Sequence, residues 1–308
     1  MANVNPTIAI ASGKGGTGKT LVATNLAMTA ARQGLSTVLV DCDAEAPNDH
    51  LFFAASASMH DVEALIAKVD EDLCTSCGMC RDACAYGGIR ILAGKVIVFP
   101  ELCHGCGLCL QVCMTGAMGE EPMRVGEVIA GAVENMPPGS ASLELVTGRL
   151  DVGQVKAPTV IREARARAKT SHAQFTLLDA PPGVACAAVA SVSHADAVLL
   201  VTEETAFGLH DLKLAAELAE TLGIPTGIVI NRAGAQTGGV DVAAWAAERD
   251  IPVIASIPFD RAIASTYADG KLVIDVLPGE KERFIAMLES VRELAATCTP
   301  SVAGGVSL

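Results

Sequence analysis

Aromatic side chains are scarce in this chain, 3% of 308 residues with a single Trp and two Tyr. That disfavours an aromatic-rich β-sandwich, whereas the 51% apolar share, drawn mostly from Ala, Val, Leu and Ile, suits buried parallel strands flanked by helices. Basic charge is short as well: 22 Lys and Arg face 35 Asp and Glu, a net charge of −13. Such a balance argues against a sequence-independent grip on nucleic acid or on an anionic membrane. Long hydrophobic runs are missing, and stretches such as residues 195–201 are too short to span a bilayer. The opening MANVNPTIAI has no basic flank followed by an apolar core, and the closing CTPSVAGGVSL has no basic amphipathic pattern. The expectation is a globular cytoplasmic protein with neither nucleic acid nor membrane as partner.

Cysteine, by contrast, is plentiful. Eleven are present, eight of them between Cys74 and Cys113, and without an export signal they read as metal ligands rather than disulfides. The spacing Cys74-x2-Cys77-x2-Cys80-x3-Cys84 recurs as Cys103-x2-Cys106-x2-Cys109-x3-Cys113. This doubled run is that of two-cluster bacterial ferredoxins, where each close trio holds one [4Fe-4S] cubane and the fourth Cys closes the other. Cluster 1 is therefore expected on Cys74, Cys77, Cys80 and Cys113, and cluster 2 on Cys84, Cys103, Cys106 and Cys109. Gly78, Gly105 and Gly107 let the backbone bend closely around the sulfides. Ala85 and Met114 stand where such runs usually carry Pro, which alters local solvation without removing a ligand. A pair of structural zinc sites is the competing reading; the repeated spacing favours clusters.

The other strong signal is Gly13-Lys14-Gly15-Gly16-Thr17-Gly18-Lys19-Thr20, which fits G-x-x-x-x-G-K-[ST]. It follows an apolar run, TIAIA, and opens a helical pattern over 19–32, as a phosphate-binding loop must. Glycines turn backbone N–H groups towards phosphate oxygens, and the helix N-terminus adds positive potential. Lys19 is expected on the β and γ phosphates of ATP, and the Thr20 hydroxyl on Mg2+.

Strands over 37–40, 175–178, 197–201, 226–230 and 252–256 alternate with helices over 158–169, 209–222, 240–249 and 281–296. Alternation of this kind predicts an α/β fold, a doubly wound and mostly parallel sheet. The composition change between about 66 and 122 marks an inserted small α+β ferredoxin domain. The ATPase domain then comprises 1–65 and 123–300, the tail 301–308 is flexible, and NMPPGS at 135–140 loops from the module back to the sheet.

The loop GKGGTGKT, together with LLDAPPG, LLVTEETAFGLHDLKLA, IVINRAG and VFPELCHGCGLC, resembles the MinD/ParA superfamily of deviant Walker A, SIMIBI-type P-loop ATPases that carry an inserted ferredoxin domain. The resemblance implies a nucleotide-dependent homodimer, or a heterodimer with a related ATPase. It implies that Lys14 reaches the partner's nucleotide, acting as an arginine finger does. Asp41-Cys42-Asp43 is similar to the first switch, with Asp43 orienting the attacking water or binding Mg2+ through water. Asp179-Ala180-Pro181-Pro182-Gly183 is similar to Walker B and the second switch, with Asp179 holding the Mg2+ shell. Asn231 and Arg232 are implied at the adenine, with Pro258 and Asp260 lining its pocket. Lys14, Lys19 and Asp43 are the catalytic candidates.

Three further residues stand apart. Cys186, seven residues past Asp179, is either a ligand for a metal or cluster at a dimer interface or a small buried hydrophobe. His104 tunes a cluster or is an exposed loop residue, and His210 caps or packs at the start of a helix. Cys42 reads as a buried strand end. The functional expectation is an ATP-hydrolysing iron–sulfur protein whose dimeric switch serves metallocluster assembly or maturation of a metalloprotein client. The alternative is ATP-gated electron transfer from the two clusters to a redox partner; a spatial-positioning ATPase is disfavoured by charge.

Overall fold

The computed structural model describes residues 5–235 and 240–297. The chain opens with β1 (Thr7–Ala11), α1 (Lys19–Arg32) and β2 (Thr37–Asp41). It then enters β3 (Ala55–Val69), passes through α2 (Met79–Ala83), β4 (Ile89–Leu92), β5 (Lys95–Val98) and α3 (Leu108–Gln111), and returns along β6 (Met118–Val133). After β7 (Leu143–Leu150) come α4 (Ala157–Lys169), β8 (Phe175–Asp179), α5 (Cys186–Val192), β9 (Ala197–Glu203) and α6 (Ala206–Thr221). The last elements are β10 (Thr226–Ala233), α7 (Val242–Ala247), β11 (Val253–Pro258), α8 (Arg261–Ala268), α9 (Val273–Val276) and α10 (Glu280–Ala296).

Strands β2 and β9 are buried along their whole length, and β1 at all but its first residue. Runs of β-branched and aliphatic residues behave this way when helices cover both faces. The nine-stranded sheet has the order β11-β10-β9-β1-β8-β2-β7-β6-β3. Pairings from β11 through β7 are parallel, and β7–β6 and β6–β3 are antiparallel. One face packs against α1 and α10 around Leu26, Phe175 and Phe284; the other packs against α4 and α6 around Val160, Ile161 and Leu212. The mostly parallel, doubly wound architecture is as expected.

The antiparallel edge was not legible in advance. Strands β3 and β6 pair from Ala55↔Val133 to Val69↔Met118, with one register shift at Val62/Glu63. Pairing of β6 with β7 stops at Gly126↔Leu150, so beyond that point the two strands continue as a free ribbon. About seven residues at ~3.3 Å each give it a reach of roughly 23 Å. Most of the outer strand, β3, is exposed on both faces, so it lacks the alternation that announces a half-buried strand. The compositional boundaries at 66 and 122 fall inside this ribbon, where Ile66 faces Glu121 and Leu65 faces Pro122. Segment 135–140 is a loop, but it joins β6 to β7, both already in the sheet.

Where the ribbon leaves the sheet, Arg124 is braced by three carboxylates: Asp61, Asp151 at 3.0 Å and Glu127 at 3.1 Å. Glu127 also pairs with Arg149. The cysteine segment sits at the far end, around a small core of Ala67, Cys80, Ile89, Val96, Cys109 and Met118. Among the described residues no helix is long and apolar enough to cross a membrane. Cys298 and the segment 301–308 lie outside the described residues.

Candidate functional site

Residues 12–18 connect β1 to α1, and backbone crowding explains their glycines. A Cβ on Gly13 would lie 2.0 Å from the Asp211 carbonyl oxygen. Gly18 has φ +97°, and a Cβ there would lie 2.2 Å from Asn231 Nδ2. That amide donates to the Thr17 carbonyl at 2.7 Å, so the end of β10 clamps the loop. Lys19 is buried, with Nζ 3.0 Å from Ser12 Oγ. Burial lowers its pKa, against the opposing pull of Asp179 and Asp43.

Four carboxylates converge at the ends of β2 and β8. Thr20 Oγ1 donates to Asp179 Oδ2 at 2.7 Å and lies 3.1 Å from Asn48 Oδ1. Asp41 folds the loop after β2 around itself: Oδ1 accepts from the Asp43 amide at 3.1 Å, and Oδ2 from the Asn48 and Asp49 amides at 2.8 and 3.0 Å. Burial, then the charge of Asp179, pushes Asp41 up to about 7. Asp179 is raised to about 6, chiefly by burial. Asp43 is raised by burial while the Lys19 charge lowers it.

Asp49 was not foreseen. It is fully buried, and burial followed by the charges of Asp41 and Asp179 carries its carboxyl well above the usual range. The protonated Asp49 carboxyl faces Asp179 as a donor; apart from that contact, both its oxygens, Asp179 Oδ1 and Thr17 Oγ1 are buried without a hydrogen-bond partner. Buried polar atoms are rarely left so. A divalent cation carrying a polyphosphate fits them, because it would supply the positive charge that these oxygens lack. The available signal was a third aspartate in DCDAEAPND, eight residues past the strand end.

Beside the loop lies a cavity of about 330 Å³ lined by Gly16, Gly18, Leu21, Asn231, Arg232, Pro258, Phe259, Asp260, Ile263, Ala264 and Tyr267. The four residues expected at the base are all in its wall. Asn231 is tied to Thr17, and Asp260 caps α8 by accepting from the Ala262 amide at 2.7 Å. Helix α8 and Tyr267 escaped the sequence reading. Tyr267 stands at the border of the two sites, its ring 5.1 Å from that of Phe52 and its hydroxyl within reach of Thr20.

Lys14 is held within its own chain. Its Nζ lies 3.4 Å from Glu203 Oε2, and Arg232 pairs with Oε1 of the same carboxylate. Glu204 accepts from the Gly234 amide at 3.1 Å, tying β9's end to the loop after β10.

At the ribbon's tip the cysteines fall into two groups. Burial raises Cys80, and the neighbouring thiols that add to the rise are Cys74 and Cys113. Burial pushes Cys109 up to about 11, with Cys103 and Cys106 adding to it. An apolar cavity is lined by Cys84, Cys103, Cys106 and Cys109 together with Tyr86, His104 and Glu120. Cys80 thus lies near Cys74 and Cys113, while Cys84 shares a cavity wall with Cys103, Cys106 and Cys109. The buried thiols of Cys80 and Cys109 resist ionisation when bare, whereas the Thr115 hydroxyl lowers Cys113; iron would stabilise such donors as thiolates. Among the described residues no three His, Cys, Asp or Glu are grouped to hold a single metal ion; the sulfurs of one quartet surround a cavity instead.

The stray residues resolve as follows. Cys186 is exposed at the start of α5, which overturns its reading as a small buried hydrophobe. Cys42 is buried as expected. His104 is exposed and stacks on Tyr86, ring centroids 3.7 Å apart. His210 does not start α6; the helix begins four residues earlier, with Thr205 Oγ1 accepting from the Gly208 amide as its cap, and His210 is exposed.

A strand–glycine loop–helix unit with a buried lysine, a threonine bonded to a strand-end aspartate and an adjoining cavity defines a P-loop nucleotide-binding protein. The family model described as the CobQ/CobB/MinD/ParA nucleotide binding domain matches residues 8–273, and the chain belongs to that family. It is similar to the uncharacterized protein MJ0578 of Methanocaldococcus jannaschii, 28% identical over 288 residues, 93% of this chain and 96% of that one. A shorter stretch of 53 residues, 17% of this chain and 18% of the other, is 43% identical to the iron-sulfur cluster carrier protein of Pseudomonas fragi. In fold the chain is similar to the septum site-determining protein MinD of Pyrococcus horikoshii, solved with Mg-ADP. That likeness has a TM-score of 0.59 at 20% identity and covers 96% of this chain and 100% of that one.

Proposed function

We propose that the chain is an ATP-hydrolysing iron–sulfur protein in which a dimeric nucleotide switch serves metallocluster assembly or maturation of a client metalloprotein. One observation carries this reading. The first switch, folded on Asp41, reaches Asp49 and continues within six residues into β3 at Ala55, the strand that leads to the cysteine module. Whatever nucleotide does to the loop after β2 is therefore passed to the sheet-bound start of β3, seven residues before that strand leaves the sheet at Val62. Family membership supports nucleotide binding, and the stretch shared with a protein named as an iron-sulfur cluster carrier accords with a cluster-linked role.

In this reading Lys19 and Thr20 hold the phosphates and Mg2+, with Asp179 and Asp43 around the metal and Asp43 orienting the attacking water. Lys14 leaves Glu203 to engage the nucleotide of a second subunit, either another copy or a related ATPase. Asn231, Arg232, Pro258 and Asp260 enclose the base. Cys74, Cys77, Cys80 and Cys113 hold one [4Fe-4S] cluster, and Cys84, Cys103, Cys106 and Cys109 the other; together these supply one-electron chemistry at low potential. The module is the inserted domain, and residues outside the ribbon form the ATPase body. Exposed Cys186, seven residues past Asp179 and at the head of α5, is the site for a metal or cluster in transit.

A second reading, ATP-gated electron transfer to a redox partner, is supported by the nearness of Cys80 to Cys74 and Cys113 and by the cavity that Cys84, Cys103, Cys106 and Cys109 share, which suit resident clusters rather than cargo. Anaerobic comparison of the wild type with Cys186→Ser separates the two. Delivery requires that the serine variant lose metal transfer to an apo-protein acceptor while both resident clusters stay reducible. Undiminished transfer would remove Cys186 as the carrier. Cluster potentials and electron-transfer rates that shift between ADP and ATP would favour the second reading.

A further inference from the structure

Lys156 lies in the ATPase body, at the cap of α4, yet it points into the cysteine module. The residue is only 3% exposed. Its Nζ donates to the Pro100 carbonyl oxygen at 3.1 Å, and the same oxygen accepts from the Cys103 amide at 3.2 Å. The ammonium is close enough to Cys103 and His104 for its charge to act on both. Cys103 is also where the ribbon touches the second quartet: the Ala67 amide donates to its sulfur at 3.4 Å. Gly105 packs so tightly on the ribbon that a Cβ there would lie 2.5 Å from the Leu65 carbonyl oxygen.

The charges near the first quartet differ in kind. Arg81 is exposed and spent on Asp82 at 2.7 Å, and the Thr115 hydroxyl lies 3.6 Å from the Cys113 sulfur. On the second quartet's side the acids Glu101 and Glu120 are exposed. Exposed charges are screened by solvent and salt, whereas a buried ammonium is screened much less. Net charge and hydrogen bonds to sulfur are among the levers that set a cluster's reduction potential.

We propose that Lys156 is a positioning residue for electron transfer. Its buried ammonium, anchored on Pro100 beside Cys103, makes the Cys84/Cys103/Cys106/Cys109 cluster the more readily reduced of the two and the one facing the ATPase body. The inference rests on the reading that the two quartets hold clusters. With both clusters bound, an electron held on the outer cluster would pass to the inner one; the outer would be oxidised by one electron, the inner reduced by one, and no bond would be made or broken. Lys156 gives up no proton in the step and favours the added negative charge.

Wild type, Lys156→Met and Lys156→Arg are reconstituted anaerobically as full chains, assayed for iron and sulfide, and titrated by electron paramagnetic resonance. A Cys106→Ser chain identifies which signal is the inner cluster. In the wild type the inner cluster should be reduced first. In Lys156→Met its reduced-to-oxidised ratio at a fixed poise should fall about tenfold, about 59 mV for one electron, with the outer cluster unmoved. Lys156→Arg should restore it. Equal titration of fully loaded Met and wild-type chains overturns the proposal, and so does a wild type whose outer cluster is reduced first. That second measurement decides the matter even if the Met chain does not hold its iron. A wild type that binds no iron and sulfide overturns the ligand sets themselves, a failure distinct from unmoved potentials.

Discussion

The two ends of the molecule are stabilised by different means. The nucleotide end stands on a sheet with apolar layers on both faces, in which Leu26, Leu39, Phe175 and Phe284 are sealed from solvent. Among the described residues the module's core has only six buried apolar side chains, two of them cysteines, with half-buried neighbours around them. Around it Leu73, Tyr86, Leu92, Leu102 and Met114 are exposed, Met114 to 85%. A unit of this size buries too little surface to fold alone and needs cross-links or metal. The body can therefore await its ligand folded, while on the proposed ligand sets the module's order depends on its clusters.

Breaking the nucleotide end should have the largest effect. Lys19→Ala removes the buried cation between Ser12 and the switch carboxylates. Mg2+-dependent ATP hydrolysis should fall by at least ~10²-fold, with the body still folded by circular dichroism; persistent turnover would refute the site. Removing iron tests the other side. Chelation under reducing conditions should expose residues 70–117 to protease while the body's unfolding midpoint holds. Loss of both together would erase the contrast.

Stability against pH sharpens the picture at the nucleotide end. Asp41 at about 7 and Asp179 at about 6 hold protons in the fold that an unfolded chain, with aspartates near 3.8, has released. Stability conferred by the protonated carboxyls is thus full below about 4 and is lost as pH rises through about 7. Denaturant titrations without nucleotide should show this decline, and Mg2+ with nucleotide should flatten it. The smallest effect is expected at Glu203. Glu203→Gln weakens its hold on Lys14, and a pair of this partly exposed kind contributes ~0.2–1 kcal/mol. Nucleotide-dependent dimerisation, followed by sedimentation, should tighten by at most about fivefold; weaker dimerisation would show that Glu203 supports Lys14 rather than restraining it.

The P-loop and the cysteine run were legible because each is contiguous. Thirteen-to-twenty and 74-to-113 carry their chemistry in spacing alone, and the parallel strands announced themselves as apolar runs bounded by turns. Other parts depend on the fold to bring distant residues together. Lys156 is a single lysine in VGQVKAPTV, with nothing local to mark it, and only the packing of α4's start against Pro100 gives it meaning. Glu203 and Lys14 are separated by most of the sheet's connections yet meet across neighbouring strand ends. The ribbon strands escaped notice because β3 has a row of exposed side chains and β6, which alternates only between half-buried and exposed over 119–124, carries Glu, Pro and Gly there instead of apolar residues at every other place.

The register shift at Val62/Glu63 coincides with the point where β6 parts from β7 at Gly126, beside the Arg124 cluster of carboxylates. Between that joint and Val69↔Met118 the ladder is unbroken. The stalk should therefore pivot as a boom rather than bend along its length. Two cations thus tether it at its two ends, Arg124 at the joint and Lys156 on Pro100 at the tip.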